Sequence, residues 1–270
     1  MFEDRMPQNS LDSLSVLMVV PSLVQGKFLQ RSIHLHGKIS IRQCANINEA
    51  CSAMSEVLPD LVISSMYFDD GDGLDLVTTM QETPEFENIL FMLVSSEERF
   101  EVIDPIRQSG VISILPKPFS SEDVQDALDH TLIYLSENAQ VKEHKSVEHI
   151  QILVVDDSKL ARRHVIKLLR KGGVSPENIT EAEDGSIACE LLKSQAFDII
   201  LTDYNMPNMD GEQLLVHIRS TAGIKHIPTI MITSERKEVV LKSIKNNGVT
   251  ALLDKPFDPL QLMHLLQTCA

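Results

Sequence analysis

Residues 198–211 read DIILTDYNMPNMDG, an apolar run that ends on Asp203 and passes into a turn shaped by Pro207 and Gly211. Residues 60–73, DLVISSMYFDDGDG, repeat the apolar approach and the glycine-closed turn, but Ser65 stands where Asp203 stands. The likeness extends along the chain. VLMVVPS from Val16 matches ILVVDDS from Ile152, LVSSE from Leu93 matches ITSE from Ile232, and GVISILPKPF from Gly110 matches GVTALLDKPF from Gly248, all at an offset of 136 to 138 residues. Self-similarity at one fixed spacing means two copies of a single structural unit.

Within the second copy, short β-branched runs alternate with helical patterns. ILVV, ITEA, DIILTD, PTIMIT and ALLD read as strands; SKLARRHVIKLLRK, GSIACELLKSQ, GEQLLVHIRS, KEVVLKSIKNNG and DPLQLMHLLQT read as helices. Gly172 and Gly173 stop the first helix, and Asp258 with Pro259 caps and opens the last. Strands that are apolar on both faces and alternate with helices predict a parallel sheet covered on both sides. The fold class is therefore α/β, two tandem flavodoxin-like (βα)5 doubly wound domains with sheet order 2-1-3-4-5. Such a sheet puts any site at the carboxyl ends of strands one and three. The boundaries predicted are a tail over 1–12, a first domain over 13–136, a linker over 137–149 and a second domain over 150–270. Leu132, Leu135 and Ala139 continue the last helix of the first domain toward that linker.

Composition narrows the function. The chain has 270 residues, 43% of them hydrophobic, and a formal net charge of −15. Residues 1–136 hold 8 Lys and Arg against 21 Asp and Glu, whereas residues 137–270 hold 16 against 18. An acidic first half repels phosphate backbones, so direct nucleic-acid binding is not expected. The cations of RRHVIKLLRK and ERKEVVLKSIK read as solvated helix faces. No apolar run is long enough to span a membrane and no secretory leader opens the chain, which makes a cytoplasmic protein the expectation. Cys44, Cys51, Cys189 and Cys269 have neither CxxC nor metal-ligand spacing and read as free thiols.

The chemistry converges at the strand ends of the second copy. Asp156 and Asp157 follow its first strand, Asp203 ends the third, Thr233 ends the fourth and Lys255 follows the fifth. Each has a modest alternative: a cap, a turn, a local backbone bond. Together in one crevice, three carboxylates repel each other unless a cation balances them, and a hard divalent ion with oxygen ligands suits that set. A metal beside a carboxylate, a lysine and a hydroxyl is what phosphoryl transfer to the carboxylate needs.

ILVVDDS, ILTDYNMPNMDG, MITSE and LLDKPF resemble the response-regulator receiver domain of two-component signalling, across essentially all of 150–270. The resemblance implies that Asp203 is the phospho-acceptor, loaded from a phosphohistidine. It implies Mg²⁺ on Asp157, Asp203 and the backbone carbonyl of Asn205, with Asp156 assisting. Lys255 would hold the phosphoryl group and Thr233 would move toward it. Asn205 and Glu235 occupy positions that the family uses to tune phosphoryl loss. Leu252 departs from the pattern, since the family often has Tyr or Phe there as a rotating switch.

The first copy also resembles a receiver, but Val20 and Pro21 replace the acidic pair, Ser65 replaces the acceptor and Tyr67 stands at the Asn205 position. Lys117 and Ser95 remain. The acids of FDDGDG lie too far along the loop to substitute, so this copy reads as a pseudo-receiver kept for packing or partner binding. The chain is thus expected to be a phosphorylation switch and no enzyme in its own right. Its partners would be a histidine kinase or histidine phosphotransfer protein, a downstream protein target and, as a homodimer, a second copy of itself. The alternatives are a constitutive scaffold, or the regulatory front of a longer protein with a nucleotide-cyclase or DNA-binding output. A hydrolase working through an aspartyl-phosphate fits least, because its aspartates should be spaced Asp-x-Asp.

Overall fold

The computed structural model describes residues 11–140, 147–235, 237–257 and 259–269. Most of the N-terminal tail, Val141 to Ser146 of the linker, and the predicted cap Asp258 lie outside the described residues. The chain divides into two compact units, Met1–Gln140 and Val141–Ala270.

In the first unit the elements run β1 (Ser15–Val19), α1 (Leu23–His34), β2 (Ser40–Cys44), α2 (Ile47–Glu56), β3 (Leu61–Ser65), a small hairpin of β4 (Tyr67–Phe68) and β5 (Gly71–Asp72), α3 (Gly73–Glu82), β6 (Leu90–Ser95), α4 (Phe100–Gln108), β7 (Ser113–Pro116) and α5 (Ser121–Gln140). In the second they run β8 (Ile152–Val155), α6 (Lys159–Lys171), β9 (Ile179–Ala182), α7 (Gly185–Ser194), β10 (Ile199–Asp203), α8 (Gly211–Ser220), β11 (Thr229–Thr233), α9 (Glu238–Asn246), β12 (Ala251–Asp254) and α10 (Pro259–Cys269). The two five-stranded sheets are ordered β2-β1-β3-β6-β7 and β9-β8-β10-β11-β12, parallel throughout. Each is the doubly wound 2-1-3-4-5 arrangement that the alternation of strand and helix patterns predicts.

Burial explains the pattern. Every residue of β3, β6, β10 and β11 is buried, because helices cover both faces of these inner strands. The edge strand β2 alternates between exposed and more buried positions instead. Ser22 and Ser158 cap the first helix of each unit, and Asp72 and Asp210 cap the third with a reciprocal capping box. Each cap satisfies amides that have no partner within the helix and contributes about 1 kcal/mol. Gly110 and Gly248 follow α4 and α9 at φ 81° and 84°, a left-handed conformation that a Cβ would penalise. A Lys–Pro peptide follows the last strand of each unit and is cis in both, Lys117–Pro118 and Lys255–Pro256.

One reading of the sequence needs correction. Arg162, counted with a solvated helix face, is 6% exposed. It shares the inward stripe of α6 with Val165, Ile166 and Leu169, which are also buried. Its guanidinium is stabilised there by Glu181 at 2.9 Å and by the carbonyl of Asp156 at 2.7 Å.

Candidate functional site

Lys255 is carried to the carboxyl edge of the second sheet by the end of β12, and its backbone N–H donates to the Thr233 carbonyl at 2.9 Å. Its ammonium reaches across the sheet and donates to Asp156 Oδ2 at 2.9 Å and to Asp203 Oδ1 at 2.6 Å. The three side chains are 3%, 6% and 3% exposed, so these ion pairs are dry and little screened. The second oxygen of each acid is fixed by backbone. The Ser158 amide donates to Asp156 Oδ1 at 2.8 Å and the Asn205 amide to Asp203 Oδ2 at 2.7 Å. Losing Lys255 would strand two buried carboxylates.

Burial pushes the Asp203 carboxyl up to about 7; Lys255 opposes that shift and the charge of Asp156 adds to it. Burial works against the Lys255 ammonium, but Asp203 and Asp156 outweigh it and hold the pKa above the ordinary lysine value. The Asn205 amide and the Lys255 ammonium, at 2.7 and 2.6 Å, are the groups that favour the carboxylate form of Asp203 against its burial. Asp157 is exposed at the rim, with its pKa raised by partial desolvation and then by Asp156.

The other candidates surround this pair of acids. Thr233 is fully buried at the end of β11, and its Oγ1 accepts the Glu235 amide at 3.0 Å. Asn205 is exposed, two residues beyond Asp203, and Glu235 is half-buried. Leu252 pairs in register with Met231, two residues before Thr233, and so faces the same side of the sheet as Thr233. Like Tyr204, it packs against a cluster of Leu215, Met231 and Ile244.

Two residues that the sequence reading passed over also build the site. Arg162 ties α6 to the Asp156 carbonyl, and its place in the apolar stripe at 162, 165, 166 and 169 was the available signal. Asn208 adopts φ 61° and donates to Asp184 Oδ2 at 2.7 Å, joining the loop after β10 to the cap of α7. Gly211 is required sterically, since a Cβ there would collide with the carbonyl oxygen of Asp203.

The donors at this edge are all hard oxygens. Among the described residues no three His, Cys, Asp or Glu side chains converge on one point. Mg²⁺, however, commonly uses one or two carboxylates and keeps several waters. The carboxylates of Asp156, Asp157 and Asp203 with the Asn205 carbonyl therefore fit such an ion chemically.

The matching edge of the first unit has the same backbone and different side chains. The Lys117 amide donates to the Ser95 carbonyl at 2.9 Å, and the Glu97 amide to Ser95 Oγ at 3.0 Å. Both bonds repeat those at Thr233. Val20 and Ser65 are buried where the second unit has Asp156 and Asp203. Of the acids in FDDGDG, Asp70 accepts the first amides of α2, from Ile47 at 3.1 Å and Asn48 at 3.0 Å, and Asp72 caps α3. Both are committed to helix N-termini.

A family model described as the response regulator receiver domain matches residues 22–129 and 152–267. The chemotaxis protein CheY-3 of Vibrio cholerae is 40% identical over 119 residues, which cover 44% of this chain and 90% of that protein. The chemotaxis protein CheY of Pseudomonas aeruginosa is 40% identical over 108 residues, 40% of this chain and 86% of that one. Among solved structures, that of Vibrio cholerae CheY4 crystallised at low pH is 33% identical with a TM-score of 0.41, covering 44% of this chain and 97% of its own. A probable two-component system response regulator/GGDEF domain protein is 21% identical with a TM-score of 0.40, covering 95% of this chain and 97% of its own. Among the described residues, no helix is long and apolar enough to cross a membrane.

Proposed function

Because this chain belongs to the response regulator receiver domain family, we propose that its second unit accepts a phosphoryl group on Asp203 and that its first unit has the fold without the chemistry. The observation that carries this reading is the seating of Lys255 between Asp156 and Asp203, against Val20, Pro21 and Ser65 at the matching edge. A carboxylate oxygen of Asp203 attacks phosphorus, and the bond from phosphorus to the donor's imidazole nitrogen breaks. That nitrogen leaves with the electron pair.

The chain's own groups prepare the step. The Asn205 amide orients the Asp203 carboxylate through Oδ2. Lys255 keeps its proton and offers its charge to the phosphoryl oxygens, while Thr233 offers a hydroxyl. Bound at Asp156, Asp157, Asp203 and the Asn205 carbonyl, Mg²⁺ would supply charge neutralisation for the transferring group. Asn205 and Glu235 flank the site and set how readily water reaches the phosphoryl group.

Phosphorylation adds close to two negative charges to a buried point. Driving the unit almost fully from one state to the other takes a preference of about 5 kcal/mol. Leu252 carries no aromatic ring, so the readout runs through repacking of Leu252 and Tyr204 on Leu215, Met231 and Ile244. The upstream partner on this reading is a cytoplasmic histidine kinase or histidine phosphotransfer protein. The chain acts as a switch on a downstream protein.

The test is labelling with a small-molecule phosphodonor and Mg²⁺, read by intact mass. Wild type should take one phosphoryl group, Asp203→Asn none, and Ser65→Asp still one, since Val20 and Pro21 offer no metal ligand. A label that survives Asp203→Asn sinks the assignment. A purely architectural pair of domains would show no Mg²⁺ affinity that depends on Asp203.

A further inference from the structure

At the edge of the first sheet, where the acids are missing, lies a cavity of about 380 Å³. That volume is within the range of small-molecule sites. Val20, Val24, Phe28, Val94 and Phe119 form its apolar walls, and the Phe28 and Phe119 rings pack 5.6 Å apart at a tilted angle. Three polar side chains, Ser65, Lys117 and Gln25, also line this space. Ser65 is 6% exposed, and its hydroxyl oxygen has no hydrogen-bond partner. Lys117 donates to Gln25 Oε1 at 3.2 Å, and burial holds its pKa below the ordinary value. A buried hydroxyl without a partner and a half-buried ammonium facing only an amide oxygen both gain from an anion. At the mouth, Val24 and Phe28 remain 79% and 58% exposed.

The ligand's class follows from these walls. One lysine and one hydroxyl match a single negative charge, and the acidic surroundings of residues 1–136 disfavour a phosphate dianion. The remaining surface is hydrocarbon and aromatic. We propose that the first unit binds a small amphipathic monocarboxylate of the arylalkanoate type, with its aryl body on the Phe28–Phe119 pair and its carboxylate on Lys117 and Ser65. This site is separate from Asp203 and stands whether or not that residue is phosphorylated.

The experiment is ligand-observed NMR and calorimetry on the full chain, with 4-phenylbutanoate and its uncharged analogue 4-phenylbutan-1-ol as probes. The acid should bind measurably and more tightly than the alcohol. Lys117→Met, which keeps the apolar stem, should weaken the acid by about tenfold and leave the alcohol unchanged. Ser65→Ala should produce a smaller loss in the same direction. Val24→Trp, at an exposed position, should block both probes while the circular dichroism spectrum stays that of wild type. Absence of acid binding at millimolar concentration would overturn the proposal. So would acid binding that is indifferent to Lys117→Met and Val24→Trp, or an equal loss of acid and alcohol in Lys117→Met.

Discussion

Lys117 and Lys255 end the same kind of strand, precede the same kind of cis proline and make the same 2.9 Å backbone bond to the residue closing the neighbouring strand. Their side chains differ completely. Lys255 is 5% exposed between two carboxylates, whereas Lys117 is half-buried and reaches a glutamine. Ser95 and Thr233 each accept the amide two residues on, Glu97 and Glu235, at 3.0 Å. Above Ser65, Tyr67 donates to Glu97, which Arg99 also holds in a two-point ion pair. The backbone frame of the site therefore does not depend on its acids. Caps, left-handed glycines and strand bonds fix it, and exchanging three side chains turns a carboxylate cradle into an apolar cavity.

The largest test of this comparison is to rebuild the chemistry in the first unit. With Asp203→Asn in the background, Ser65→Asp alone should leave the chain unlabelled by phosphodonor. Val20→Asp, Pro21→Asp and Ser65→Asp together should restore a label, because Lys117 and Ser95 are already in place. A folded triple variant that takes no label would show that the two frames are not equivalent.

Next in size is the pair of lysines. Lys255→Met leaves two buried acids facing each other, and urea unfolding of the second unit should show a loss of about 3 kcal/mol. Phosphorylation should also slow by about a hundredfold. Lys117→Met gives up one long hydrogen bond from a half-buried ammonium that has no carboxylate partner, and its cost to the first unit should stay within about 1 kcal/mol.

The pH dependence separates the units again. Folding raises the Asp203 pKa to about 7, so the folded second unit binds a proton more tightly than the unfolded chain does. Its stability should fall as pH climbs from about 4, the unfolded aspartate value, to about 7. Asp203→Asn removes that slope and should leave the unit more stable than wild type at pH 8, where the wild-type carboxyl is ionised. In the first unit the Lys117 shift has the opposite sense: the folded state holds its proton less tightly, so its contribution rises with alkaline pH. Thermal unfolding across pH 4 to about 11 reads both.

The most indirect effect on the site belongs to Arg162. Arg162→Met keeps the stem in the apolar stripe but releases the Asp156 carbonyl and Glu181, for a loss of about 1–2 kcal/mol. Phosphorylation should slow by less than in Lys255→Met, because Arg162 acts on the site only through backbone.

Much of this organisation was legible in the sequence. The doubled blocks at one offset required two copies, and β-branched runs alternating with helical periods required a parallel sheet with its site at the carboxyl edge. These signals are local: a period of two or 3.6 residues, a cap, a glycine after a helix. The same reading picked out Asp156, Asp203, Thr233 and Lys255 as strand-end residues, since each sits at or just past the end of a run. Other features were settled only by closure of the chain. Lys255 meets Asp203 and Asp156 across 52 and 99 residues of sequence, and no local pattern specifies a contact of that separation. Arg162 read as solvated because charge suggests exposure, yet its neighbours in the folded unit offer carbonyl and carboxylate partners that make burial affordable. Two of the three acids of FDDGDG, Asp70 and Asp72, are drawn to helix N-termini, Asp70 to that of a helix more than twenty residues earlier. The cavity beside Ser65 has no counterpart in any single stretch, because its walls come from separate strands and helices that the sheet alone brings together.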